Sequence, residues 1–100
     1  MDPDLQDLTI ADVVETTAGR DAGSLFYVLE TDGVWLALAN GKDRRIEKPK
    51  RKKCKHARKV LRSETRVAAK LRAGDKVLNS ELRRDLAYLS RELQSNSLGG

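Results

Sequence analysis

The sequence predicts a mainly β domain with some α: a small barrel of short strands followed by two α-helices. Three observations carry this prediction. Short apolar runs between Ile10 and Ile46 are punctuated by glycine-containing turn signals. Two of those signals, Asp32-Gly33 and Asn40-Gly41, are dipeptides that favour two-residue hairpins, because a type I′ turn needs positive φ at both central positions. Beyond Leu61 the apolar spacing lengthens to three and four residues, the period of a helix. A chain of 100 residues has room for one such domain with a single modest core.

In chain order, residues 1–8 are acidic, lack periodicity and read as a flexible tail. Ile10 to Thr16 forms a first strand on Ile10, Val13 and Val14, and a loop holding Gly19 and Gly23 follows. Leu25 to Thr31 is a second strand, in which Phe26 and Tyr27 point to opposite faces, so one of the two is expected outside. Val34 to Ala39 is apolar throughout and reads as a central third strand that takes Trp35 into the core. Lys42 to Lys48 alternates around Ile46 as a fourth strand, stopped by Pro49, which cannot donate to a sheet ladder. A fifth strand near Lys55 to Leu61 would close a barrel over residues 9–61.

Residues 63–94 read as a helical pair. Ser63 caps a helix that places Val67, Ala68 and Leu71 on one face and ends at Gly74. Asn79 or Ser80 caps a second helix with the stripe Leu82, Leu86, Leu89 and Leu93. That stripe must be buried, either on the barrel or against a second copy. Residues 95–100 read as a disordered tail.

Charge is divided sharply along the chain. Residues 1–41 carry eight acids against Arg20 alone, whereas residues 42–62 carry twelve Lys/Arg against Asp43 and Glu47, a net +10 in 21 residues. A block this dense is a polyanion footprint. The basic tract 48–62 supplies Lys48, Lys50, Arg51, Lys52, Lys53, Lys55, His56, Arg58 and Lys59 as candidate phosphate contacts, and Arg44 and Arg45 on the adjoining segment extend it. Such side chains release condensed counterions when they neutralise phosphates, a contribution independent of base sequence. The competing readings are an acidic protein, an anionic membrane surface, or charge that serves solubility alone.

Several classes are excluded or disfavoured. Cys54 is the single cysteine, so an internal disulfide is ruled out, and with one histidine, His56, no metal site can be assembled from Cys and His. No glycine-rich phosphate loop with a trailing Lys-Ser/Thr occurs and no nucleophile has a credible histidine partner, so a non-catalytic protein without cofactor or small-molecule substrate is expected. The start Met-Asp-Pro-Asp-Leu lacks the pattern of a signal peptide, and the longest apolar run, Val34 to Ala39, is too short to span a bilayer. A cytoplasmic location with no membrane partner is the expectation.

The segment Val13 to Val28 has apolar β-formers leading into a two-glycine loop and a second apolar run leading out. Followed by the basic tract, it resembles the KOW motif of ribosomal proteins and transcription elongation factors. More loosely, Asp12 to Leu93 is similar to small bacterial KOW-domain RNA-binding proteins related to archaeal and eukaryotic large-subunit ribosomal proteins. The resemblance implies an SH3-like barrel of the KOW type. It also implies an RNA partner, ribosomal RNA above all, and ribosomal proteins as further partners, in translation or ribosome assembly. It marks Gly19, Asp21 and Gly23 as the loop and Arg20 as an RNA contact. An alternative of another class is a DNA-binding regulator using residues 67–86 as a helix-turn-helix, with Arg83 and Arg84 on the first turn of its second helix.

Overall fold

The computed structural model describes residues 7–17, 19 and 23–99 of the chain. Five strands form one antiparallel sheet: β1 (Asp12–Thr16), β2 (Leu25–Thr31), β3 (Trp35–Ala39), β4 (Lys50–Lys53) and β5 (Ala57–Arg62), with a three-residue 3₁₀ turn, Cys54–His56, between the last two. Their order across the sheet is β4-β3-β2-β1-β5, so β4 and β5 are its edges and are not hydrogen-bonded to each other. Those edges are nevertheless neighbours in the chain. In a flat sheet four inter-strand spacings would hold them about 19 Å apart, whereas the few residues of a 3₁₀ turn advance only about 8 Å. The sheet must therefore curl. Bulges on the β1–β5 pair between Val13 and Val14, and on the β2–β3 pair between Val28 and Glu30, supply local bending.

Both faces of the sheet are covered. Val14, Phe26, Val28, Leu36 and Leu38 pack on one face with Leu8, Cys54 and Ala57. Val13, Tyr27 and Ala39 pack on the other against Val67, Ala68, Val77, Leu82, Leu86 and Leu89. Leu82, Leu86 and Leu89 of the leucine stripe are thus buried within one chain, and Leu93 is half-buried. Phe26 and Tyr27 are both buried, because this second face lies under helices rather than water. Leu8, expected in the flexible tail, is part of the core. Ala11, on the opposite face, is fully buried at φ 70, and its N–H donates to Val28 O at 2.8 Å, which turns the chain into β1 two residues later than the apolar pattern suggests.

The fourth strand is displaced from its expected place. Residues 42–48 are not a strand, because their backbone groups are taken elsewhere. Asn40 Oδ1 accepts the N–H groups of Lys42 and Arg44, Arg44 O accepts those of Asn40 and Gly41, and Asn79 Oδ1 accepts that of Ile46. Asn40-Gly41 therefore opens a ten-residue loop, 40–49, instead of a tight hairpin. Pro49 precedes β4 instead of ending a strand, and the basic tract itself becomes the edge strand. The β2–β3 connection is a hairpin as expected, but only Gly33 takes positive φ there, at 93°. Asp32 Oδ1 holds the turn by accepting from Val34 and Trp35 at 3.0 and 2.8 Å, which also keeps its carboxyl below the usual range.

The helices are α1 (Arg66–Ala73) and α2 (Asn79–Gly99). Thr65, not Ser63, caps α1, its Oγ1 accepting the Ala68 N–H at 3.2 Å, and Gly74 ends it in the left-handed region. Ser63 is diverted to the sheet: Tyr27 Oη lies 2.8 Å from Ser63 Oγ and 3.3 Å from Thr65 Oγ1, and donates to Asp85 Oδ2. Burial and the Asp85 carboxylate push the Tyr27 phenol up to about 12. This cluster pins β2, the α1 cap and α2 together. At the start of α2 neither Asn79 nor Ser80 acts as the cap. Glu81 Oε1 reaches back to the Leu78 N–H at 3.1 Å, half of a capping box, while Lys70 bonds its other oxygen; the two contacts hold its carboxyl low. The backbone of α2 stays helical to Gly99, through residues 95–99 that the sequence reading assigns to a disordered tail.

Candidate nucleic-acid interface

The basic block folds into one continuous rim: loop 40–49, edge strand β4, the 3₁₀ turn and β5. Alternation in β4 sends its side chains two ways. Arg51 and Lys53 are exposed, while Lys50 and Lys52 are half-buried on the face of Leu36 and Leu38, their cross-strand partners being Leu38 and Leu36. The Lys50 ammonium lies 6.0 Å from the Phe26 ring centroid. The Lys52 ammonium sits 3.6 Å from where a Cβ on Gly19 would be. Gly19 therefore lies against the basic strand. Gly19 and Gly23 both take positive φ, and the Gly23 N–H closes the loop on Thr16 O at 2.9 Å. Arg20 and Asp21, also marked by the resemblance, lie outside the described residues.

The 3₁₀ turn presents Lys55 and His56 to solvent because its other groups are tied down. Cys54 is buried, its N–H donating to Val34 O at 2.8 Å, and His56 O accepts the Thr17 N–H at 3.0 Å. Cys54 is thus a core side chain. Among the described residues no group of three or more His, Cys, Asp or Glu could hold a metal ion.

The candidate contacts are not equivalent. Arg45, Lys48, Arg51, Lys53 and Lys55 make no ion pair among the described residues. Arg58, by contrast, faces Glu15 across the β1–β5 pair and its guanidinium is bonded to that carboxylate. Lys59 reaches the fully buried Asp12 at 3.4 Å, whose Oδ2 also accepts from Thr9 N at 2.8 Å. Arg58 and Lys59 are therefore partly engaged in holding β5, while the unpaired cations cluster on β4, the turn and the loop.

Loop 40–49 owes its position to α2. Asn79 Nδ2 donates to Glu47 at 2.8 and 3.0 Å, which lowers the Glu47 carboxyl, and Arg83 donates to Gly41 O at 2.7 Å. Gly41, at φ 76, lies so close to the Asn79 carbonyl that a Cβ there would collide with it. Arg44 and Arg45 stay exposed on this loop. The same contacts engage Asn79 and Arg83 on the first turn of α2, the part of a helix-turn-helix that must enter a groove, while Arg84 stays exposed.

Trp35 departs furthest from expectation. Instead of entering the core it is 37% exposed, because Leu36 and Leu38 are the inward pair of β3. The displaced β4 sets Lys53 directly opposite, and the Lys53 ammonium and Arg51 guanidinium lie 5.5 and 5.8 Å from its ring centroid. An aromatic with two cations within 6 Å of its ring is what the sequence, with its fourth strand placed at 42–48, did not reveal.

Compared with known protein families the chain matches no family model, and no curated protein is significantly similar to it.

Proposed function

We propose that this chain is a non-catalytic RNA-binding protein of the KOW type, its curled sheet an SH3-like barrel, acting on ribosomal RNA as a ribosomal or ribosome-associated protein. The observation that carries the reading is the basic rim. Twelve of the 20 Lys/Arg fall between Lys42 and Arg62, and the fold gathers them on a loop, the two edge strands and the turn between those strands, with Lys52 beside Gly19. A charged edge strand also deters edge-to-edge aggregation. That role calls for only one or two lysines, however, and not for a rim that continues through Arg44, Arg45, Lys48 and Lys55.

In this reading the unpaired cations lie along phosphates and supply most of the affinity, and the Arg44/Arg45 loop sets the register on folded RNA. Specificity comes from shape and a few placed contacts. The acids of the first half that lie away from the basic rim face away from the RNA or toward proteins. Co-sedimentation of the tagged protein with ribosomal subunits, followed by crosslinking, tests the reading. Crosslinks from ribosomal RNA to residues 42–59 are expected; migration apart from the subunits, with crosslinks to no RNA, would overturn it.

A further inference from the structure

The exposed corner formed by β2, β3 and β4 has a chemistry that phosphate binding does not use. Across the sheet, Glu30 stands opposite Ala37 and Ala37 opposite Arg51, so the three form one row on the outer face. Trp35 occupies the next outward position along β3, diagonal to both Glu30 and Arg51 and directly opposite Lys53. The small Ala37 leaves a hollow between the carboxylate and the guanidinium. The resulting cavity of about 380 Å³ is lined by Ile10, Glu30, Asp32, Trp35, Ala37 and Arg51. This is at the small end of the roughly 300–1,000 Å³ range of ligand sites, the scale of a nucleoside. The bulge between Val28 and Glu30 falls where it aims Glu30 at this face, and Glu30 makes no ion pair among the described residues.

We infer that Trp35, Glu30 and Arg51 form a subsite for one unpaired guanine of the bound RNA, an inference that rests on the RNA-binding reading above. The Trp35 face stacks on the base, as aromatic side chains do with splayed-out bases. Guanine presents two adjacent donors, N1–H and N2–H₂, on one edge and the acceptors O6 and N7 around the other. The Glu30 carboxylate takes the donor pair, and Arg51, on the opposite side of Ala37, donates to the acceptors or to the adjoining phosphate. Uracil and adenine lack the paired donors. Asp32, its Oδ1 occupied by two backbone N–H groups, adds negative charge that disfavours acceptor-bearing edges on that side.

Trp35 is the single tryptophan, so its fluorescence reports stacking directly. Short single-stranded RNAs carrying one central guanine, inosine, adenine or uracil in a uridine background would be titrated in, with anisotropy of a labelled end measured in parallel. Quenching is expected with guanine, and inosine, which lacks N2–H₂, should bind about tenfold more weakly, the discrimination of one bidentate pair. Glu30→Gln should bring guanine and inosine to within about twofold of each other while leaving salt-dependent binding. Trp35→Leu, or Trp35→Phe if the first variant does not fold, should weaken the guanine RNA and leave the uridine RNA nearly unchanged. Binding seen by anisotropy without any change in Trp35 fluorescence would overturn the subsite and leave the basic rim standing. Equal quenching by all four RNAs, unaffected by Glu30→Gln, would overturn the guanine assignment. No binding by either signal would overturn the RNA reading itself.

Discussion

Removing one oxygen atom, in Tyr27→Phe, tests how the helices are held on the sheet. Tyr27 is fully buried, and its hydroxyl is bonded to Asp85 of α2 and lies next to Ser63 and to Thr65, the cap of α1. A hydrogen bond to a charged group contributes about 1.5–3 kcal/mol. Asp85 keeps the Thr65 hydroxyl at 2.8 Å in the variant, so the loss should fall near the middle of that range, about 2 kcal/mol. For a domain of this size that lowers Tm by roughly 8–16 °C. The pH dependence gives an independent check. The phenol is raised from 10.0 to about 12, so below pH 10 it is neutral folded and unfolded and its contribution is fully present. Between pH 10 and 12 the unfolded chain releases a proton that the folded chain retains, and about 3 kcal/mol of stability is lost as pH rises through that window. Urea unfolding of parent and variant at pH 8 and at steps to pH 12 measures both effects, and the difference between the two proteins cancels the titration of the lysines they share. The reasoning fails if Tyr27→Phe lies within 0.5 kcal/mol of the parent at pH 8, or if the difference between the two proteins does not shrink toward pH 12.

Three further outcomes follow from the packing and the ion pairs. Leu86→Ala should cost about 2–4 kcal/mol of monomer stability in denaturant unfolding, as for a buried leucine; an unchanged midpoint with loss of a dimer in sedimentation would place the stripe at a seam between copies. Gly41→Ala should destabilise by about 1–3 kcal/mol, since the position has positive φ and a Cβ would meet Asn79, and it should weaken RNA binding by displacing Arg44 and Arg45; a neutral variant in both assays would refute the close approach of loop and α2. Lys55→Gln should flatten the salt dependence of RNA affinity by about one unit, and Arg58→Gln by clearly less because Arg58 is held by Glu15; the reverse ranking in the same titration would show that the Glu15 pair opens on binding.

What could be read ahead of the structure was whatever local chemistry decides. The second strand, the ends marked by Gly74, and the leucine stripe of α2 follow from period and punctuation. The fourth strand misled because Ile46 and its flanking charges alternate convincingly. Their backbone groups, though, are consumed by Asn40 and by Asn79, a partner 33 residues distant from Ile46 that no local pattern announces. That one displacement hid the candidate site's most distinctive feature. With β4 at 50–53, Trp35 acquires Lys53 and Arg51 as neighbours, whereas with the strand at 42–48 it reads as a core residue. Ser63 was misread as a cap for a similar reason: its hydroxyl is taken by Tyr27, 36 residues earlier. The charge block, by contrast, needed no tertiary information to be noticed; the fold added which of its members are already paired.

The most direct test of the central claim is the salt dependence of binding to a folded ribosomal RNA fragment, with heparin as competitor. If about six phosphates are neutralised, log affinity should fall against log salt with a slope on the order of −4, and folded RNA should be preferred over heparin of equal charge. A slope near zero, or equal affinity for RNA and heparin, would contradict the assignment of this rim to RNA.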